Sequence, residues 1–172
     1  MLRTTWERLA DKPIRQGAKM RVFQLTEIRA VPFSPGSIEL ATNKYRDLLI
    51  GWSQAFIRDA DVHDDPSQMP AMVDSLLARR AIYLWIDGEP VSMAAAARTT
   101  PNGTGINLVY TPRETRRSGY ATSLVATLSE RLLRDGRRFC YLYTDLANPT
   151  FNAIYQRIGY RPVGDINEYL TN

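Results

Sequence analysis

The chain has 172 residues, 44% hydrophobic and 23% charged, with a formal net charge of +4, a length and composition that describe one globular domain with a core of its own. A single cysteine, Cys140, excludes a disulfide framework within the chain, and no run approaches the ~18 apolar residues of a membrane span. The basic residues are scattered, which suits a small polyanionic ligand and offers no block for nucleic acid.

The first residues, MLRTTWERLADKP, carry charge where a signal peptide has its apolar stretch. With the lone cysteine, this makes the cytoplasm the expected compartment. Residues 20–28 (MRVFQLTEI) alternate imperfectly and read as an extra strand. Residues 31–36 (VPFSPG) hold two prolines and a glycine and read as a linker. Residues 1–35 are therefore expected to be an N-terminal arm and linker, and residues 36–172 the main domain. A strand at 20–28 would complete a sheet edge in its own chain or in a second copy, which leaves a homodimer open.

Residues 37–41 read as a short strand. Thr42 or Asn43 then caps a helix to about Ala60, with Tyr45, Leu48, Leu49, Trp52 and Phe56 on one face. Asp65 or Ser67 caps a second helix to Arg80. Residues 81–86 form a strand, Asp87-Gly88 a hairpin turn, and residues 90–98 and 105–110 complete an antiparallel meander. The four alanines at 94–97 need an element close against them. A helix over 121–134 buries Ala121, Leu124, Val125, Leu128 and Leu132, and Gly136 closes it. Residues 138–144 form a strand parallel to 105–110 through a right-handed crossover. Cys140 reads there as buried. Asn148 caps a short helix with Pro149 at its first position. Two short strands, 160–163 and 166–170, finish the chain.

Residues 116–121 (RRSGYA) lie between a strand and a helix. The first amides of a helix lack intrahelical acceptors, and the helix dipole adds about half a positive charge there. Arg116 and Arg117 add formal charge, and Gly119 removes the Cβ that would hold a phosphate off the backbone. A phosphate-bearing ligand is expected at this loop.

Four motifs then follow in order: V-x-x-P (Val109, Pro112), R-x-x-G-x-A (Arg116, Gly119, Ala121), N-P-x-x-N-x-I-Y (residues 148–155) and I-G-Y (residues 158–160). Together they resemble the GNAT superfamily of acyl-CoA-dependent N-acyltransferases over residues 104–163, and the element order extends the likeness back to residue 37. The resemblance implies an α/β fold, a mixed, twisted sheet of six or seven strands flanked by helices on both faces. It implies acetyl-CoA as cosubstrate, no metal, and transfer of the acetyl group to a primary amine by direct attack in a ternary complex. Arg116, Arg117, Ser118, Gly119, Tyr120, Ala121 and Thr122 would wrap the pyrophosphate. The pantetheine arm would lie in a wedge between residues 106–110 and 139–144, pairing with Val109 and Thr111. The Val109 amide would polarise the thioester carbonyl. Asn148 and Asn152 would cap their helix and touch the pantetheine, and Tyr155 would protonate the departing thiolate.

The resemblance supplies no general base here, because TGINLVY carries no acid. His63, Asp145, Glu39, a water or an amine arriving neutral all stay open. Trp52, Phe56 and Trp85 read as core or as the wall of an acceptor pocket. The acceptor itself, a small-molecule or peptide amine, has no readable motif. The alternative function is a module that binds acyl-CoA without turning it over.

Overall fold

The computed structural model describes residues 14–60, 65–146 and 149–171. Seven strands, β1 (Ile14–Leu25), β2 (Ser37–Leu40), β3 (Ile82–Asp87), β4 (Glu89–Ala97), β5 (Gly103–Tyr110), β6 (Phe139–Asp145) and β7 (Arg161–Thr171), form one sheet in the order β2-β3-β4-β5-β6-β1-β7. Among the described residues four helices accompany them: α1 (Arg46–Ala60), α2 (Met69–Ala78), α3 (Tyr120–Arg134) and α4 (Pro149–Ile158). The pair β5–β6 is parallel and every other pair antiparallel, so the sheet is mixed. No helix among the described residues is long and apolar enough to cross a membrane.

Both faces of the central strands are covered, which is why β4 and β5 read as continuous apolar runs rather than alternating ones. On one face Phe23, Ala94, Ile106 and Leu142 meet Leu124, Leu128, Tyr155 and Ile158 of α3 and α4. On the other, Ile82, Leu84, Met93 and Ala95 meet Leu49, Val73 and Leu76 of α1 and α2. The alanine run divides between them: Ala94 and Ala96 face α3, Ala95 and Ala97 face α1 and α2. Small side chains on both sides let two helix layers approach one strand.

Three local expectations change. β1 begins six residues before the expected strand and ends three residues earlier. Its first half, IRQGAK, shows no apolar alternation because it pairs only with β7, outside the core, where the Ala18 amide donates to Glu168 Oε2 at 3.2 Å. β7 is one strand rather than two. The Val-Gly-Asp sequence that reads as a break instead continues the ladder, with Val22 opposite Gly164 and an Arg21–Asp165 ion pair at 2.7 Å. The second helix is entered through a 3-10 turn, and Asp65 caps that turn, accepting from the Ser67 amide at 2.9 Å, while the helix itself has no side-chain cap.

The extra strand expected within the N-terminal arm lies inside the sheet of its own chain. β1 sits between β6 and β7 as an interior strand, with Phe23 and Leu25 fully buried. After it the chain crosses the α3 face to reach β2. The Arg29 amide donates to the Ile158 carbonyl, Val31 is buried, and the Pro35 carbonyl accepts from Trp85 Nε1 at 2.7 Å. Gly36 ends this crossing at φ +104, and a Cβ there would lie 2.2 Å from the Ile86 carbonyl oxygen. Gly36→Ala is expected to cost about 3 kcal/mol, from left-handed backbone strain plus a backbone clash with no flexible partner to yield. Denaturant titration of the purified variant checks it, and an unchanged midpoint contradicts it.

Candidate functional site

The ladder between β5 and β6 stops early. Gly103, Thr104 and Gly105 pair with Phe139, Cys140 and Tyr141, and no pairing follows, although β5 runs on to Tyr110 and β6 to Asp145. The two strands therefore splay toward their C-terminal ends. A bulge shapes the same stretch. Leu108 takes φ +49, and the β4–β5 register slips between Met93 and Ala95. A non-glycine residue in the left-handed region is uncommon, and bulges of this kind re-aim the backbone beside binding sites. Residues 106–110 thus present main chain to the wedge without a β6 partner.

Past Pro112 a 3-10 turn (Arg113–Thr115) leads into the expected anion loop. Arg116, Arg117, Ser118 and Gly119 are exposed. Gly119 is the N-cap residue of α3 at φ +80 and gives no side-chain cap. The first intrahelical bond runs from the Ser123 amide to the Gly119 carbonyl, so the amides of Tyr120, Ala121 and Thr122 have no acceptor within the helix. An uncapped helix start behind an exposed loop is the geometry that holds an anion.

The side chains of the loop play parts that the sequence did not indicate. The Arg116 guanidinium bonds Asp59 Oδ2 at 2.5 Å and the Thr111 carbonyl at 2.9 Å, and lies over the Tyr110 ring. Arg113 reaches the other Asp59 oxygen at 2.7 Å. The charge of Arg116 is thus matched by a carboxylate at the end of α1. The Tyr120 hydroxyl donates to Asp87 Oδ2 at 2.6 Å, tying the helix start to the β3–β4 turn. Ser34, in the segment read as a linker, donates its hydroxyl to the Ser118 carbonyl and its amide to Ser123 Oγ. A Cβ on Gly119 would come within 2.7 Å of Ser34 Oγ. The backbone angle and the closeness of this strap are two further reasons for a residue without Cβ here, beside the close phosphate approach expected of it.

The two arginines hold the Asp59 carboxyl down at about 2, from an ordinary 3.8. A depressed folded-state value means the clamp contributes fully above pH 4 and is lost as pH falls through about 2. Asp59→Asn is therefore expected to destabilise at neutral pH, and the gap to the unaltered protein should close between pH 4 and pH 2. Thermal melts across that range test it; a gap constant with pH contradicts it.

The remaining expected residues divide. Thr111 lies beside the wedge, with its hydroxyl 2.9 Å from Ser92 Oγ. Val109 is buried at the bulge, and Ala121 and Thr122 open α3. Asn152 on α4 donates to the Asp145 carbonyl at 3.4 Å, while its Oδ1 is buried without a hydrogen-bond partner. Tyr155, also on α4, is 5% exposed with its ring against Tyr160, and burial raises its phenol well above the ordinary value. Asn148 and His63 lie outside the described residues. Burial pushes the Cys140 thiol up to about 12, which removes it as a nucleophile.

The three aromatic candidates are not brought together. Trp85 is buried on the α3 face, whereas Trp52 and Phe56 lie on the α1–α2 face, with Trp52 6.1 Å from the Tyr110 ring. On that α1 side two groups went unnoticed in the sequence. Ser53 Oγ on α1 and Asn107 Oδ1 on β5 are both buried without partners. Nothing in their local pattern marks them; only the docking of α1 on β5 does.

Solved structures share this architecture. A GNAT-family acetyltransferase from Colwellia psychrerythraea superposes with a TM-score of 0.68 at 11% identity, covering 97% of this chain and 60% of that one. A GCN5-related N-acetyltransferase from Sphaerobacter thermophilus gives 0.71 at 15% identity, covering 98% and 55%. A predicted acetyltransferase from Clostridium acetobutylicum, solved with acetyl-CoA, gives 0.59 at 14%, covering 74% and 90%. The chain thus spans little more than half the length of the first two. These likenesses establish the GNAT fold. The FR47-like family matches residues 85–170, and the chain belongs to that family. No curated protein sequence matches it.

Proposed function

We propose that the chain transfers an acetyl group from acetyl-CoA to a primary amine, by direct attack within a ternary complex. The observation that carries this reading is the splay of β5 from β6 beside the uncapped start of α3. The helix amides and the exposed main chain of residues 117–119 take the pyrophosphate. The pantetheine arm lies in the wedge and pairs with Val109 and Thr111, as an added strand would. The amine nitrogen attacks the thioester carbon, and the Val109 amide stabilises the charge that gathers on its oxygen. The C–S bond breaks, and the Tyr155 phenol hydrogen-bonds or protonates the leaving sulfur. The amine loses its proton to solvent, since β5 carries no acid. Amine-dependent release of thiol from acetyl-CoA, over small amines, amino acids and peptides, tests the reading.

Two observations favour a second reading, in which acyl-CoA binds without turnover. β5 offers no carboxylate, and Tyr155 is almost fully buried. Binding of acetyl-CoA with no thiol release from any amine class would select it.

A further inference from the structure

Far from the anion loop, at the N-terminal end of β5, lies a cavity of about 420 Å3. Arg79 and Arg80, which close α2, line it together with Arg137 after α3, Thr104 on β5, Tyr83 and Leu132. No carboxylate contributes to its wall. Among the described residues none of the three arginines forms an ion pair. Arg79 Nε and Arg137 Nη1 donate only to the neutral carbonyls of Ser75 and Thr100. The two helix C-termini nearby carry about −0.5 charge each, roughly −1 together, which leaves most of the three positive charges unmatched.

Two independent features mark the same wall. Thr104 is 2% exposed, and its hydroxyl has no hydrogen-bond partner. A buried hydroxyl left unpaired is costly and calls for an explanation. Arg80 takes φ +53 just past the end of α2, a position where glycine is free of strain. The chain places a guanidinium where the backbone disfavours any side chain, and such strain gathers at binding sites.

We propose that this cavity binds a small, multiply charged oxyanion. Its volume fits a small metabolite, and the arginines supply charge-assisted donors. The proposal does not depend on acyl transfer, because the two sites lie at opposite ends of β5.

Titration of the isotope-labelled protein with pyrophosphate, and separately with citrate, followed by NMR, locates the site. Saturable shifts are expected at the amides of Ala97, Thr99 and Thr104 and at the Arg137 side chain. Response to pyrophosphate alone identifies phosphate chemistry, response to citrate alone polycarboxylate chemistry, and response to both a general oxyanion site. R79A/R137A should weaken these shifts about tenfold or more, the loss of one or two charge-assisted hydrogen bonds, while shifts at residues 117–122 persist. R79Q/R137Q, which keeps most of the side-chain length without the charge, should also weaken binding with the native spectrum intact. Shifts confined to residues 117–122, no shifts at all, or shifts at the cavity that survive both variants would overturn the proposal.

Discussion

Replacing Tyr155 by phenylalanine is expected to lower amine-dependent thiol release by about 100-fold, the lower range for loss of a general acid, with acetyl-CoA affinity unchanged. The substitution removes one oxygen from a ring that is 5% exposed and stacked edge-on against Tyr160, so the packed volume is preserved. Burial keeps the phenol protonated at neutral pH, which makes it a weak acid and a dependable donor. A thiolate with a pKa of about 8.5 accepts a hydrogen bond readily from such a group as negative charge builds on sulfur. Single-turnover thiol release and calorimetry on the same preparation separate the two quantities. Turnover equal to that of the unaltered protein would remove Tyr155 from catalysis and leave it as a core residue between α3 and α4.

Replacing Gly119 by alanine is expected to weaken acetyl-CoA binding about tenfold, or ~1.4 kcal/mol, because the added side chain displaces the loop that faces the ligand. The new Cβ would meet Ser34 Oγ at 2.7 Å while φ stays at +80. Relief comes from rotating the Ser34 hydroxyl, which breaks its bond to the Ser118 carbonyl and frees the loop whose amides face the ligand, or from moving that loop. Gly136→Ala is the control. Its φ is +94, but no atom lies within 4 Å of the added Cβ, so it should cost stability and leave binding untouched. Equal affinity in both variants would show that the loop does not hold the cofactor.

Much of this was legible in the sequence, for reasons that differ by element. The helix over 120–134 declares itself through leucines at helical spacing and a closing glycine. The meander is legible from Asp87-Gly88 and the apolar runs on either side of it. The anion loop is legible because strand, glycine and helix follow one another within a few residues. What stayed hidden depends on contacts across the chain. The polar first half of β1 is a strand only because β7, some 150 residues away in sequence, pairs with it. The Ser34–Ser118 bond of the strap and the Asp59–Arg116 bond of the clamp join positions 84 and 57 apart in sequence. The Asp59 carboxylate beside Arg116 leaves no trace in the local sequence. No local pattern carries such information.

The central claim is that the splayed strands and the start of α3 bind acetyl-CoA. Calorimetric titration with acetyl-CoA, with desulfo-CoA and ADP as companions, tests it most directly. The predicted result is saturable micromolar binding of acetyl-CoA and desulfo-CoA, weaker binding of ADP because the wedge is left empty, and loss of affinity in Gly119→Ala. Absence of binding to folded protein, or binding indifferent to Gly119→Ala, would contradict it.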